Sequence, residues 1–193
     1  MTGDKLKETV VGYFRENRFD ERLIPKVHFD IIHAIDDELT IRLEPLLDRN
    51  YGHSTDFILV LNPKGWINGT YAFMGDEESD VLKNTPDRVH WALLFKLSLV
   101  GEFATCIFNS RQLIDGEIQV EEIREKGIPA DLREWIVPII ELMEAHNYQF
   151  VHQEELKQQK DWMNAVFEFE NDYQPTLYDM LFGSVEFYTE AGI

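Results

Sequence analysis

The chain has 193 residues, 44% of them hydrophobic, and its 18 basic and 36 acidic side chains leave a net charge of −18. Thirteen Phe, seven Tyr and four Trp supply ample core material, which argues against intrinsic disorder and fits one domain over residues 1–193. The acid excess argues against binding a nucleic-acid backbone or an anionic membrane surface, because both need clustered Lys and Arg.

The charge is unevenly placed. Residues 1–96 hold 12 basic and 17 acidic side chains, net −5; residues 97–193 hold 6 and 19, net −13. Complementary fields speed encounter and select partners, so a basic protein partner is one expectation. Acidity that only keeps the protein soluble is the other. The lone cysteine, Cys106, precludes an intramolecular disulfide, and a reducing, cytoplasmic setting is expected. The opening Met1-Thr2-Gly3-Asp4-Lys5-Leu6-Lys7 lacks a signal-peptide core, and the most apolar stretch, 91–100, is too short to span a bilayer.

Along the chain, Leu6, Val10, Tyr13 and Phe14 predict an amphipathic helix over 4–18. After Pro25 the period becomes two: Val27, Phe29, Ile31, His33 and Ile35, a turn at Asp36-Asp37, then Leu39, Ile41 and Leu43 read as a β-hairpin. A loop is expected over 48–55 and a strand over 57–61. The turn Asn62-Pro63-Lys64-Gly65 then leads to a return strand over 70–74, and 76–80 is an acidic loop. Thr85-Pro86-Asp87 could start a helix, yet Val89, Trp91, Leu93, Phe95, Leu97 and Leu99 alternate with more polar residues, including Lys96 and Ser98. The sustained alternation favours a long hairpin, 89–99 with 103–110.

The remainder reads as helical: 118–126, ending at Gly127; 130–146, kinked at Pro138; 153–168; and a short helix with Thr176 and Asp179 as a capping box and Gly183 at its end. The fold class is therefore α+β. A leading helix precedes an antiparallel sheet of about six strands over 1–116, and a helical, strongly acidic third over 117–193 packs on that sheet.

Chemistry-bearing patterns are sparse. His28 and Asp30, two apart on the expected strand, would share a face and are the weak candidates for a metal site or proton transfer; the alternative is a solvated strand face. His33 falls on the apolar face of that strand, where a hydrogen-bonded core histidine is expected. His146 suits a helix C-terminus, and the geometry of His152 is unreadable across a helix end. Cys106 reads as a buried structural thiol. Phosphate-loop, dinucleotide and nucleophile-elbow motifs are absent, so no catalytic residue and no cofactor is expected. Adjacent carboxylates such as Glu121-Glu122 diverge on any regular element and make poor acid/base pairs.

Aromatic residues crowd the acidic end: Trp162, Phe167, Phe169, Tyr173, Tyr178, Phe182, Phe187 and Tyr188. They either dock this segment on the core or form anchors ringed by acids that suit a basic surface. The candidate partner-binding residues are Glu121, Glu125, Glu141 and Glu144, with Trp66 after its tight turn and Trp162.

Trp91, Phe95, Leu97, Gly101 and Phe103 spell a long strand, a glycine-centred turn and a return strand. This fragment, residues 89–110 or about a tenth of the chain, resembles the late hairpin of small acidic immunity proteins that neutralise bacterial LXG-type toxins. The resemblance implies a cytosolic α+β protein that occludes a toxin domain without catalysis. The chain is longer than that group, and its helical third departs from the pattern. Three readings stand: a binding protein of immunity or antitoxin type, a small-ligand or metal-dependent enzyme around His28 and Asp30, and a structural or regulatory subunit.

Overall fold

The computed structural model describes residues 3–16, 24–39, 53–62, 65–68, 82–84, 89–123, 127–169, 173–183 and 187–188. Helix α1, Gly3–Glu16, buries Leu6, Val10, Val11 and Phe14 along one stripe. Asp4 in its first turn and Arg15 in its last complement the helix dipole.

The expected hairpin over 27–43 is a helix where it is described: α2, Lys26–Leu39. Its buried residues are His28, Ile31, Ile32 and Ile35, the spacing of one helical face. Val27, Phe29 and Ile35 fit an alternation too, but Ile31 and Ile32 are adjacent and both buried, which a half-solvated strand does not allow. His33 lies on the exposed side of α2, not among apolar neighbours. Residues 40–43 lie outside the described residues.

Strand β1, Ser54–Asn62, begins inside the expected loop and carries Ser54 and Thr55. The return strand β2, Gly65–Asn68, starts as soon as Asn62 pairs with Gly65, earlier than expected. The stretches 70–74 and 76–80 lie outside the described residues. Strands β3, Val89–Ser98, and β4, Phe103–Ile114, form the long hairpin that the alternation predicts. Gly101 sits in its turn with room for no side chain: a Cβ there would meet Thr9 Cγ2 at 2.7 Å.

The helix expected over 118–126 is instead strand β5, Glu117–Ile123, antiparallel to β4. A two-residue turn joins them. Asp115 has φ 50° and Gly116 φ 88°, the paired positive values of a type I′ hairpin, which Asp-Gly favours. Local turn chemistry therefore overrode the apparent helical spacing.

Helix α3, Ala130–Ala145, runs through Pro138 and buries Leu132, Ile136, Ile139 and Met143. It ends in a Schellman motif: Asn147 adopts φ 66°, its N–H donates to Glu144 at 2.9 Å, and the Tyr148 N–H donates to Met143 at 3.0 Å. Strand β6, Gln149–Phe150, then runs parallel to the start of β4.

The single helix expected over 153–168 is two short ones, α4 (Gln153–Leu156) and α5 (Asp161–Val166). The carbonyl of Gln158 between them accepts the N–H of Leu177 at 2.9 Å, so a tertiary bond replaces helical ones. Strand β7, Glu168–Phe169, pairs with β8, Phe187–Tyr188. Helix α6, Leu177–Leu181, has the expected capping box: the Thr176 N–H donates to Asp179 Oδ2 at 2.7 Å and the Asp179 N–H to Thr176 Oγ1 at 3.4 Å. Gly183 follows it, where a Cβ would stand 2.9 Å from Asp179 Cα.

The sheet order is β2-β1-β3-β4-β5, with β6 beside β4. One face packs against α2 and α3: Phe57, Leu59, Leu93, Phe95, Leu97, Cys106 and Phe108 meet Ile31, Ile35, Ile139 and Met143. The buried thiol of Cys106 belongs to this core. A second core joins α1 to the C-terminal elements: Val10, Phe14, Phe103, Met163, Phe167, Met180 and Phe182. No helix among the described residues is long and apolar enough to cross a membrane.

Candidate functional site

The second face of the sheet is where sequence polarity and structure meet. Strand alternation sends Ser54, Asp56, Lys96, Ser98 and Thr105 to this face. It is not solvated at Lys96, Ser98 or Thr105, all of which are buried. The C-terminal elements cover it, and the polar groups hold them. Ser98 Oγ donates to the Leu181 carbonyl at 2.6 Å and so satisfies the end of α6, while Ser54 Oγ donates to Asp56 Oδ1 at 2.6 Å and lies 3.2 Å from the Phe182 carbonyl. Thr105 Oγ1 donates to the Val151 carbonyl at 2.8 Å. Lys96 Nζ pairs with Asp56 Oδ2 and lies 5.9 Å from the centre of the Tyr178 ring. Burial raises the Tyr178 hydroxyl pKa, and the Lys96 charge opposes that shift. This seam is a docking device for the C-terminal segment.

His28 does not share a face with Asp30. Two residues on a helix diverge by roughly 200°, and His28 is buried while Asp30 is exposed. His28 Nδ1 and Thr55 Oγ1 are hydrogen-bonded at 2.7 Å, and the ring meets Tyr148 edge-on at 5.6 Å. Burial pushes His28 down to about 4, with the Ser98 backbone offsetting part of the shift. Burial and the neighbouring Glu102 push Tyr148 up to about 12. No group of His, Cys, Asp or Glu among the described residues could hold a metal ion. His146 closes α3, with Nδ1 2.8 Å from the Leu142 carbonyl. His152 is the exposed N-cap residue of α4.

The C-terminal aromatics divide. Phe167 and Phe182 are buried in the second core, with Trp162, Phe169 and Tyr178 packed against it, while Tyr173 is exposed. Trp162 also lines a cleft of about 620 Å³ between α1 and the α4–α5 region. Its rim mixes Asp4, Glu155 and Asp161 with Lys7 and Lys160, so no single charge dominates it. Trp66 stands on β2 opposite Leu61. Glu125 lies outside the described residues.

The remaining candidate acids are exposed: Glu121 on β5, and Glu141 and Glu144 on α3. The structure adds Glu117 and Glu122 to them, both exposed on β5. Of these five, Glu122 alone has a cation partner among the described residues, Lys157 at 2.9 Å, itself an exposed pair. The helix expected over 118–126 hid this arrangement; the Asp115-Gly116 turn signal would have found it. Comparison with protein-family models, with curated proteins and with solved structures yields no match.

Proposed function

We propose that this chain is a non-catalytic binding protein that captures a basic protein partner on its acidic C-terminal half, in the manner of an immunity or antitoxin protein. One observation carries the reading: Glu117, Glu121, Glu141 and Glu144 are exposed and have no cation partner among the described residues, on a half-chain of net charge −13. Carboxylates so displayed contribute little to the fold and leave a negative field open to an oppositely charged surface. The resemblance of the 89–110 hairpin to immunity proteins gives the same direction.

A pull-down from the native cell at low and high salt tests the reading, combined with Glu121→Lys, Glu141→Lys and Glu144→Lys. A stoichiometric basic protein should be retained at low salt, released at high salt, and bound about tenfold more slowly by the triple variant. Recovery of no stoichiometric partner at low salt, or equal association by the variant, would sink it.

A further inference from the structure

We infer that the outer edge of β5 is a strand-addition site, at which an extended basic segment of the partner, alternating basic and apolar residues, joins the sheet. The inference rests on the basic-partner reading and names the partner's conformation and its place on the molecule.

Strand β5 ends the sheet order, and no strand among the described residues pairs with its outer side. Its register on β4 shows which backbone groups are open. The two-residue type I′ turn makes Ile114 and Glu117 the hydrogen-bonded closing pair. Inward and outward groups then alternate along an antiparallel ladder. Glu117, Gln119 and Glu121 bond to β4, while Ile118, Val120 and Glu122 direct their N–H and C=O groups outward. An edge of this kind is a template for another strand.

The side chains specify which strand. Glu117, Gln119 and Glu121 share one face of β5, and Ile118, Val120 and Glu122 share the other. Val120 is 52% exposed, one of the few large apolar residues so displayed. An added strand therefore meets two carboxylates, Glu117 and Glu121, with Gln119 between them on one face, and the apolar Ile118 and Val120, followed by Glu122, on the other. Lys or Arg on the first face and Val, Ile or Leu on the second complement it. A second copy of this chain is the wrong occupant, because β5 against β5 brings together two acidic strands with no Lys or Arg on either.

The test uses the full chain and two blocked peptides as long as β5. One alternates Lys and Val; the other has the same composition with its lysines and valines segregated. At low salt the alternating peptide should bind about tenfold more tightly, and hydrogen exchange should slow at the amides of Ile118, Val120 and Glu122, but not at Gln119 and Glu121, which are already in the ladder. Val120→Pro removes an outward N–H without touching the β4–β5 bonds, and should abolish the preference for the alternating peptide. Equal binding of both peptides with no slowing at the three amides overturns strand addition and leaves the basic-partner reading standing. Failure of the alternating peptide to bind, or concentration-dependent dimerisation lost in Val120→Pro, also overturns it. The pull-down and the charge reversals judge the basic-partner reading separately.

Discussion

His28 on α2 and Thr55 on β1 meet through a 2.7 Å hydrogen bond, joining a helix to the strand beneath it inside the larger core. His28 is wholly buried, and its pKa falls from 6.5 to about 4. The unfolded chain therefore binds a proton between these values that the folded chain refuses. No stability is lost above pH 6.5; below it, stability falls as pH drops toward 4. At about 1.4 kcal/mol per pH unit the loss approaches roughly 3 kcal/mol at the lower end. Urea unfolding at a series of pH values should show this slope, and His28→Gln, whatever its own stability, should flatten it. An unchanged slope in the variant would assign the acid sensitivity elsewhere.

The Lys96–Asp56 pair stands on the covered face of the sheet, with the lysine nearly buried. Removing one partner strands the other. Lys96→Met should destabilise by about 3 kcal/mol. Lys96→Met with Asp56→Leu should recover most of that loss, because two apolar side chains leave no unpaired charge. Chemical denaturation of the two variants and Asp56→Leu closes the cycle. A double variant as weak as Lys96→Met would show that the pair contributes net stability.

Ser98 Oγ satisfies the Leu181 carbonyl at the end of α6. Ser98→Ala leaves that buried acceptor without its donor and should cost about 1–3 kcal/mol. The loss should appear first as faster amide exchange and proteolysis over residues 173–183, with the β3–β4 amides unaffected.

Gly116 holds φ 88° in the β4–β5 turn. Gly116→Val forces a β-branched side chain into the left-handed region and should cost about 1–2 kcal/mol. Exchange at β5 amides should rise while the α2 and α3 amides stay protected. An unaffected β5 would mean that pairing with β4, not the turn, sets its register.

The 89–110 hairpin was legible because β3 lies between β1 and β4, and its backbone satisfies the strand period along its whole length. In α2 two periods coexist, and only the buried neighbours Ile31 and Ile32 decide between them. Strand β5 departs from the helix expected over 118–126 because the two residues before Glu117, Asp115 and Gly116, carry the stronger signal. The polar face of β3 was legible as polar, but not as buried: the groups that cover Lys96 and Ser98 come from residues 178–182, and no local pattern announces such a pairing. For the same reason the acidity of the second half was readable as composition, whereas its display on an edge strand needed the turn to be recognised first.

The bond from Ser98 to the Leu181 carbonyl spans 83 residues. The hairpins of the sheet, by contrast, close between sequence neighbours. A ribosome adding about 5–20 residues per second takes roughly 4–17 s to supply the second partner once Ser98 has been made. Throughout that interval the nascent sheet is open on one side. Lys96, Asp56, Ser54, Ser98 and Thr105 put polar groups on that face, which reduces the apolar area the incomplete sheet exposes.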